Sequence, residues 1–349
     1  MIVRRFMISN KAFICLVAAG LMLAVIGCGK PSAPAGKGVK NGHSGLFPAQ
    51  KEGKWGYIDK SGRFVIKPQF DWAREFSEGL AGVMVGNASG YINTKGEFVI
   101  KPQFNALRDF SESLAAVQVG NWWGYIDCEG NIVIKPQFLW AWKFSEGFAR
   151  VREYRTNKWT YVDKKGRFLT PPKFEIIGDF KLGLACAKDS ATGKWGYLDQ
   201  RGEFVIAPQF SRALTFSESL AAVQIDKKWG YIDPQGRVVI EPQFQDAWSF
   251  SEGFAAVVVD GKFGFIDKTG RLVINPQFDE PGSFSEGLAP VRIGNKWGYI
   301  DTSGRMVIKL QFDYARSFTN GLAFVRVGNK ECYIDKSGKL VFEFGKPQP

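Results

Sequence analysis

Histidine is all but missing: the 349 residues contain a single one, His43. The rest of the chain also shows no Ser or Cys nucleophile with a base partner, no phosphate loop and no metal-ligand cluster, so the common catalytic constellations have nowhere to sit. Cysteine is scarce too, with five in all. Cys15 and Cys28 lie near the N-terminus, and Cys128, Cys186 and Cys332 are spread along the chain without metal-ligand spacing. A bridge needs Cα atoms within about 7 Å, so the three distant cysteines read as incidental. Long apolar runs are absent except for residues 12–26 (AFICLVAAGLMLAVI), which is short of the roughly 20 residues of a membrane-spanning helix.

Aromatics and glycine are plentiful: 15% Phe, Trp and Tyr, with 30 Phe and 11 Trp, beside 40 Gly. Aromatics suit strands and glycine suits tight turns, so the composition points to β-structure. The formal net charge is +12, and setting aside Arg4, Arg5 and Lys11 in the N-terminal segment leaves +9. A modest basic excess favours acidic surfaces, or serves solubility alone.

The N-terminus reads as an address. Arg4, Arg5 and Lys11 precede the short apolar run, as in a secretory signal. The run ends in Val25-Ile26-Gly27-Cys28, which resembles the bacterial lipobox, whose Cys is lipidated and becomes the mature N-terminus. Residues 1–27 are therefore expected to be a lipoprotein-type signal peptide, with Cys28 the lipidated residue. Residues 28–44, rich in Gly, Pro, Ala and Lys, form a flexible linker. This predicts an exported protein held at the membrane by its N-terminal lipid, with the outer membrane or cell surface favoured because Gly29 and not Asp follows the Cys.

From residue 45 to 345 the chain repeats itself, leaving a tail at 346–349. Trp-Gly pairs or their equivalents fall at 55, 89, 123, 159, 195, 229, 263, 297 and 331, at intervals of 34 or 36 residues. The short β-rich runs and recurrent Pro exclude helical repeats of the same period. Each unit reads as three strands: Leu-Ala-x-Val, Lys-Trp-Gly-Tyr-Ile-Asp, and Val-Ile-x-Pro-Gln-Phe. Gly-Asn or Asp-Gly joins the first pair and Asp-x-x-Gly the second, both hairpin signatures. A glycine inside a strand marks close approach of another backbone or ring. Two unbroken Phe series, beginning at Phe70 and Phe76, read as packing between neighbouring repeats.

Trp55-Gly56-Tyr57-Ile58-Asp59, Gly62, Pro68-Gln69-Phe70 and Phe76-Ser77-Glu78-Gly79-Leu80 together resemble the WG (or KWG) repeat family of bacterial proteins. The resemblance spans 45–344. Departures are Ser89, Phe263 and Glu331 for Trp, Thr160 and Cys332 for Gly, and Leu310 for Pro. The resemblance implies an architecture and no single activity.

The fold expected is all-β: a tandem array of nine three-stranded antiparallel meanders. All nine units are whole and the last departs most from the motif, as a cap would. An open β-solenoid or superhelix is therefore favoured, with a propeller-like ring as the alternative.

Binding residues are harder to place. Repeated Trp and Tyr could stack on sugars, but their motif position argues for the core. The recurrent Asp (Asp59, Asp127, Asp163, Asp199, Asp233, Asp267, Asp301, Asp335) suits turn capping better than Ca²⁺. Basic residues recur before the Trp (Lys54, Lys194, Lys228, Lys296) and after the turn Gly (Arg63, Arg167, Arg237, Arg271, Arg305). They are the best candidates for a binding ladder, against a simple solvated turn. Both 36-residue intervals lengthen the loop before the Trp, at residues 153–158 and 189–194, and so give two neighbouring recognition loops or neutral drift. The function expected is a membrane-anchored extracytoplasmic scaffold for a protein or an acidic envelope polymer. A structural lipoprotein without a ligand is the alternative, and a carboxylate-based hydrolase the remote one. No enzyme activity, cofactor, metal or nucleic acid is expected, and the oligomeric state is left open.

Overall fold

The segment between one Pro-Gln-Phe and the next Leu-Ala-x-Val, which the three-strand reading does not include, is itself a strand. In the second repeat the strands are Trp72–Ser77, Leu80–Val85, Ala88–Ile92 and Phe98–Phe104, hydrogen-bonded in chain order as one antiparallel sheet. The computed structural model describes residues 44–345; the signal, Cys28, the linker to His43 and the tail 346–349 lie outside the described residues. Among those described there are nine small sheets, six of four strands and three of three. Three-stranded meanders are thus corrected to four-stranded blades. The blades run 47–70, 72–104, 106–138, 140–174, 177–210, 212–244, 246–278, 280–312 and 314–343, numbered 1 to 9 here.

Each turn is built locally. In blade 1 the Asp59 carboxylate accepts from the backbone N–H of Ser61 at 2.8 Å and of Arg63 at 3.1 Å, and Gly62 takes φ +83°. The motif glycine has a different task. Between Trp55↔Phe70 and Tyr57↔Ile66 the fourth strand carries extra residues, and this bulge crosses directly over Gly56. A Cβ there would meet the Ile66 carbonyl at 2.4 Å and the Pro68 nitrogen at 2.7 Å. Where the glycine is replaced, the bulge changes. Thr160 of blade 4 faces residues 168–174, which keep only isolated bridges. Cys332 of blade 9 faces a shorter strand with unbroken pairing across Cys332↔Glu343 and Tyr333↔Phe342.

The core lies between blades. Tyr57 of blade 1 is fully buried against Phe76 of blade 2, ring centroids 4.8 Å apart, and its hydroxyl donates to the Arg74 carbonyl at 2.8 Å. Tyr91, Tyr125, Tyr161, Tyr197, Tyr231 and Tyr299 repeat that bond to the carbonyl 17 residues on. The Phe76 series therefore does pack between neighbours.

The array closes on itself, so the open solenoid is overturned and the ring stands: a nine-bladed β-propeller. The deciding contacts join the two ends of the chain. Tyr333 of blade 9 donates its hydroxyl to the Pro48 carbonyl of blade 1 at 3.1 Å, and its ring lies 5.6 Å from Phe47. Phe64 packs on Phe342 and Trp55 on Phe344. Gly62 abuts the Val341 backbone, as Gly96 abuts Ile66 and Gly338 abuts Ile308 at other seams. An open stack would expose both of these aromatic end faces. Burying a large apolar side chain is worth roughly 1.5–3 kcal/mol, and closure buries several without ordering more chain. The departures of repeat 9, read as a cap, are instead adaptations of a seam. What looked like nine whole units is also a staggered set: among the described residues blade 1 has three strands and lacks the first.

Candidate binding face

Antiparallel chain order sorts the connections onto two faces. Turns joining strands one to two and three to four share the first face; turns joining two to three, and the links between blades, share the second. The first strands lie innermost, where equivalent segments of neighbouring blades bond directly to one another. Ser77 Oγ donates to the Phe110 carbonyl, Ser111 Oγ to that of Phe144 and Ser251 Oγ to that of Phe284.

The first face is largely occupied by its own bonding. The Glu78 carboxylate accepts from the backbone N–H groups of Glu112 and Ser113 in the next blade. Glu112, Glu218 and Glu286 do likewise, and each also receives a lysine, Lys164, Lys268 or Lys336, at 3.1 Å. The Phe-Ser-Glu-Gly motif is thereby explained as a belt around the ring. The turn aspartates are engaged with their own loops; the Ser61 hydroxyl and nearby backbone N–H groups bring Asp59 down to about 2. They serve as turn caps.

The basic candidates separate between the faces. Arg63, Arg167, Arg237, Arg271 and Arg305 follow the turn between strands three and four, on the first face. Arg63, Arg167 and Arg237 pair with the aspartate of their own turn. Lys54, Lys194, Lys228 and Lys296 open the third strand, on the second face. Lys54 binds Asp71 at 2.5 Å and Lys296 binds Asp313 at 2.6 Å, tying the turn to the inter-blade link. No single ladder unites the two series.

The lengthened loops fall side by side on the second face, in blades 4 and 5. Both are ordered: Glu153 accepts from the N–H groups of Arg155 and Thr156, and Asp189 from that of Thr192. The first loop carries Tyr154, 59% exposed, whose ring meets Trp122 of blade 3 edge-on at 4.8 Å.

Beside it lies a cluster that residue-by-residue repetition did not flag. Six of the 11 tryptophans hold the motif position; Trp72, Trp122, Trp140, Trp142 and Trp248 do not. Trp140 opens the first strand of blade 4 and is 42% exposed, while Trp142 is half-buried. The Arg108 guanidinium of blade 3 stands over Trp123, Trp140 and Trp142 at 5.1, 5.1 and 4.3 Å, and its Nε donates to the Ala141 carbonyl. Arg150 also stands over Trp142, at 5.0 Å, and pairs with Asp179. Trp72, 39% exposed, carries Arg74, which pairs in turn with Asp109. Exposed indoles held rigid by guanidinium groups thus fill one sector, blades 2 to 4. Its signal was present in the sequence as tryptophans off the repeat register, but pooling every Trp into the motif hid it. Cys186 and Cys332 are buried free thiols within inter-blade packing.

Eight consecutive segments of the chain match the model of the WG-containing repeat: 55–87, 90–121, 123–155, 159–190, 195–229, 229–263, 263–297 and 297–330. The chain belongs to that family. No curated protein matches this WG-repeat chain significantly in sequence. Among solved structures it is similar to a eukaryotic initiation factor, at 12% identity over 87% of this chain and 99% of that one, with a TM-score of 0.61. Hsv2p of Kluyveromyces lactis aligns at 9% identity over 66% of this chain and 93% of its own, TM-score 0.42. The dihydro-haem d1 dehydrogenase NirN aligns at 11% identity over 91% and 76%, TM-score 0.44. At such identities the first likeness speaks for the fold alone. The WG-repeat ring is a repeat scaffold.

Proposed function

We propose that this scaffold binds an acidic polysaccharide of the bacterial envelope, on the second face at blades 2 to 4. The reading rests on the exposed indole and phenol rings of Trp72, Trp140 and Tyr154 standing among Arg74, Arg108 and Arg152, the last opposite Trp140 on the paired strand. Aromatic faces stack on pyranose rings, and guanidinium groups hold carboxylates in a forked geometry. Neighbouring positions on a closed, rigid ring suit recognition of an extended polymer across several blades. No catalytic step is assigned. Export and attachment through a lipid on Cys28 belong to the same proposal, because an envelope ligand requires that location.

The test is co-sedimentation of the folded protein with a polyuronate, a neutral dextran and a single-stranded oligonucleotide. Retention by the polyuronate alone, weakened at least about tenfold in Trp140→Ala with Tyr154→Ala at unchanged melting temperature, is the expected result. Equal retention of wild type and variant sinks the site, and preference for the oligonucleotide sinks the ligand class. Palmitate labelling that survives Cys28→Ser would remove the lipid anchor from the proposal.

A further inference from the structure

Two junctions of the ring carry the same pair of indoles, and only one of them is filled. Trp123 and Trp142, at blades 3 and 4, hold the places that Trp229 and Trp248 hold at blades 6 and 7. The hydrogen bonds fix the equivalence, since Tyr125 donates to the Trp142 carbonyl as Tyr231 does to that of Trp248. At the first junction the Arg108 guanidinium lies over both indoles and its Nε donates to the Ala141 carbonyl at 2.7 Å. Arg150 stands over Trp142 as well. At the second junction both arginines are replaced. Leu214 donates its N–H to the Ala222 carbonyl as Arg108 does to that of Ala116, so it is the counterpart of Arg108. Ala256 pairs with Phe265 as Arg150 pairs with Tyr161, so it is the counterpart of Arg150.

No other side chain closes the space. A cavity of about 360 Å³ lies there, bordered by Leu214, Trp229, Asp246, Ala247 and Trp248. Ala247 keeps the place of Ala141, and Asp246 stands where Trp140 stands at the filled junction. Asp246 is half-buried and accepts the Ala247 N–H at 2.9 Å. Asp109 and Asp179 have arginine partners, whereas Asp246 has no ion pair among the described residues. Arg212 also borders the cavity, but it is exposed, so water and salt screen its charge.

The filled junction identifies what the open one takes. Indole faces attract a cation through the ring quadrupole, most strongly where water is excluded. A guanidinium forks onto a carboxylate through two parallel N–H bonds, and its flat faces stack on aromatic rings. We propose that the cavity between blades 6 and 7 binds a guanidinium cation brought by a ligand, in the place that Arg108 fills from within the chain at blades 3 and 4. The cation lies over Trp229 and Trp248, forks onto Asp246 and donates to the Ala247 carbonyl. This site is separate from the polysaccharide sector and does not depend on it.

Titration calorimetry on the folded full chain tests the site with methylguanidinium chloride, tetramethylammonium chloride and a blocked Gly-Arg-Gly peptide. Saturable binding of methylguanidinium in the millimolar range is expected. Tetramethylammonium, with no N–H to donate, should bind at least about tenfold more weakly, and Asp246→Asn should weaken methylguanidinium by at least about tenfold, because hydrogen bonds to charged groups are worth that much. Leu214→Arg should abolish binding by supplying the guanidinium from within. Should that variant fail to fold, Asp246→Asn alone decides. Tighter binding of the peptide than of methylguanidinium names a polypeptide arginine as the source, the reverse names a small guanidino compound, and both support the site. Absence of saturable methylguanidinium binding overturns the proposal. Unchanged affinity in Asp246→Asn, or in a Leu214→Arg variant with the wild-type melting temperature, places the cation elsewhere and overturns it too. Equal affinity for tetramethylammonium removes the fork, with the same consequence.

Discussion

Tyr125 of blade 3 donates its hydroxyl to the carbonyl of Trp142 in blade 4, at 2.7 Å. The tyrosine is fully buried, and burial pushes the phenol well above its ordinary range, so the group stays a neutral donor. Tyr125→Phe removes that donor and strands a carbonyl, at a cost of about 1–3 kcal/mol. Blade 7 supplies the reverse case, with Phe265 in the tyrosine position. Phe265→Tyr aims a hydroxyl at the Gly282 carbonyl and should stabilise by about 0.5–1.5 kcal/mol. Urea unfolding of both variants checks the pair, and effects of the same sign would dismiss the latch.

Trp229→Ala should cost roughly 3–5 kcal/mol, the usual range for a buried large aromatic. The side chain is 3% exposed and packs with Tyr231 and Phe244. A loss under about 1 kcal/mol in equilibrium unfolding would place this indole with the exposed ones of blades 2 to 4.

Gly56→Ala should destabilise by about 1–3 kcal/mol, since the new methyl group overlaps backbone that cannot swing aside. The same change at Gly53, where a Cβ meets nothing within 4 Å but φ is +78°, should cost only the price of the backbone conformation, about 1 kcal/mol. Equal losses at the two sites would show that the bulge yields.

Acid should loosen the turns before it opens the core. The Ser61 hydroxyl, then backbone N–H groups, lowers Asp59 to about 2; Thr269 and Ser303 lower Asp267 and Asp301 in the same direction. A depressed folded-state pKa gives stability that is present above the unfolded value near 3.9 and lost as pH falls through the folded one. Stability should therefore hold down to about pH 4 and decline towards pH 2. In an NMR titration Ser61→Ala should raise the Asp59 pKa, and an unmoved value would remove the hydroxyl as its cause.

Repetition made most of the architecture legible before any coordinates. The hairpin turns, the close approach over Gly56 and the inter-repeat role of the Phe76 series all follow from local residue chemistry. Closure does not, because it depends on a small rotation per blade that no single residue encodes, and the departures at Glu331 and Cys332 resemble those of a cap. The first strand was missed for a related reason. Trp72–Ser77 is bulged and interrupted by polar residues, so its alternation is faint, and its counterpart Ala106–Leu107 in blade 3 is only two residues long. The basic series divide on geometry, because strand direction sends Lys54 and Arg63 to opposite faces. The tryptophan sector needed a different question, namely which residues break the repeat and not which obey it.

The seam between Tyr333 and Pro48 also bears on how such a gene can change. A stack lengthens one unit at a time, and every intermediate length is a serviceable molecule. A circle has no such freedom, since one more unit leaves a misfit and one fewer leaves a gap. Viable copy numbers are therefore discrete, and a duplication must re-tune the wedge of every unit before it is tolerated. Novelty is accordingly confined to loop length and to single tryptophans on a fixed circumference, which is where this chain shows it.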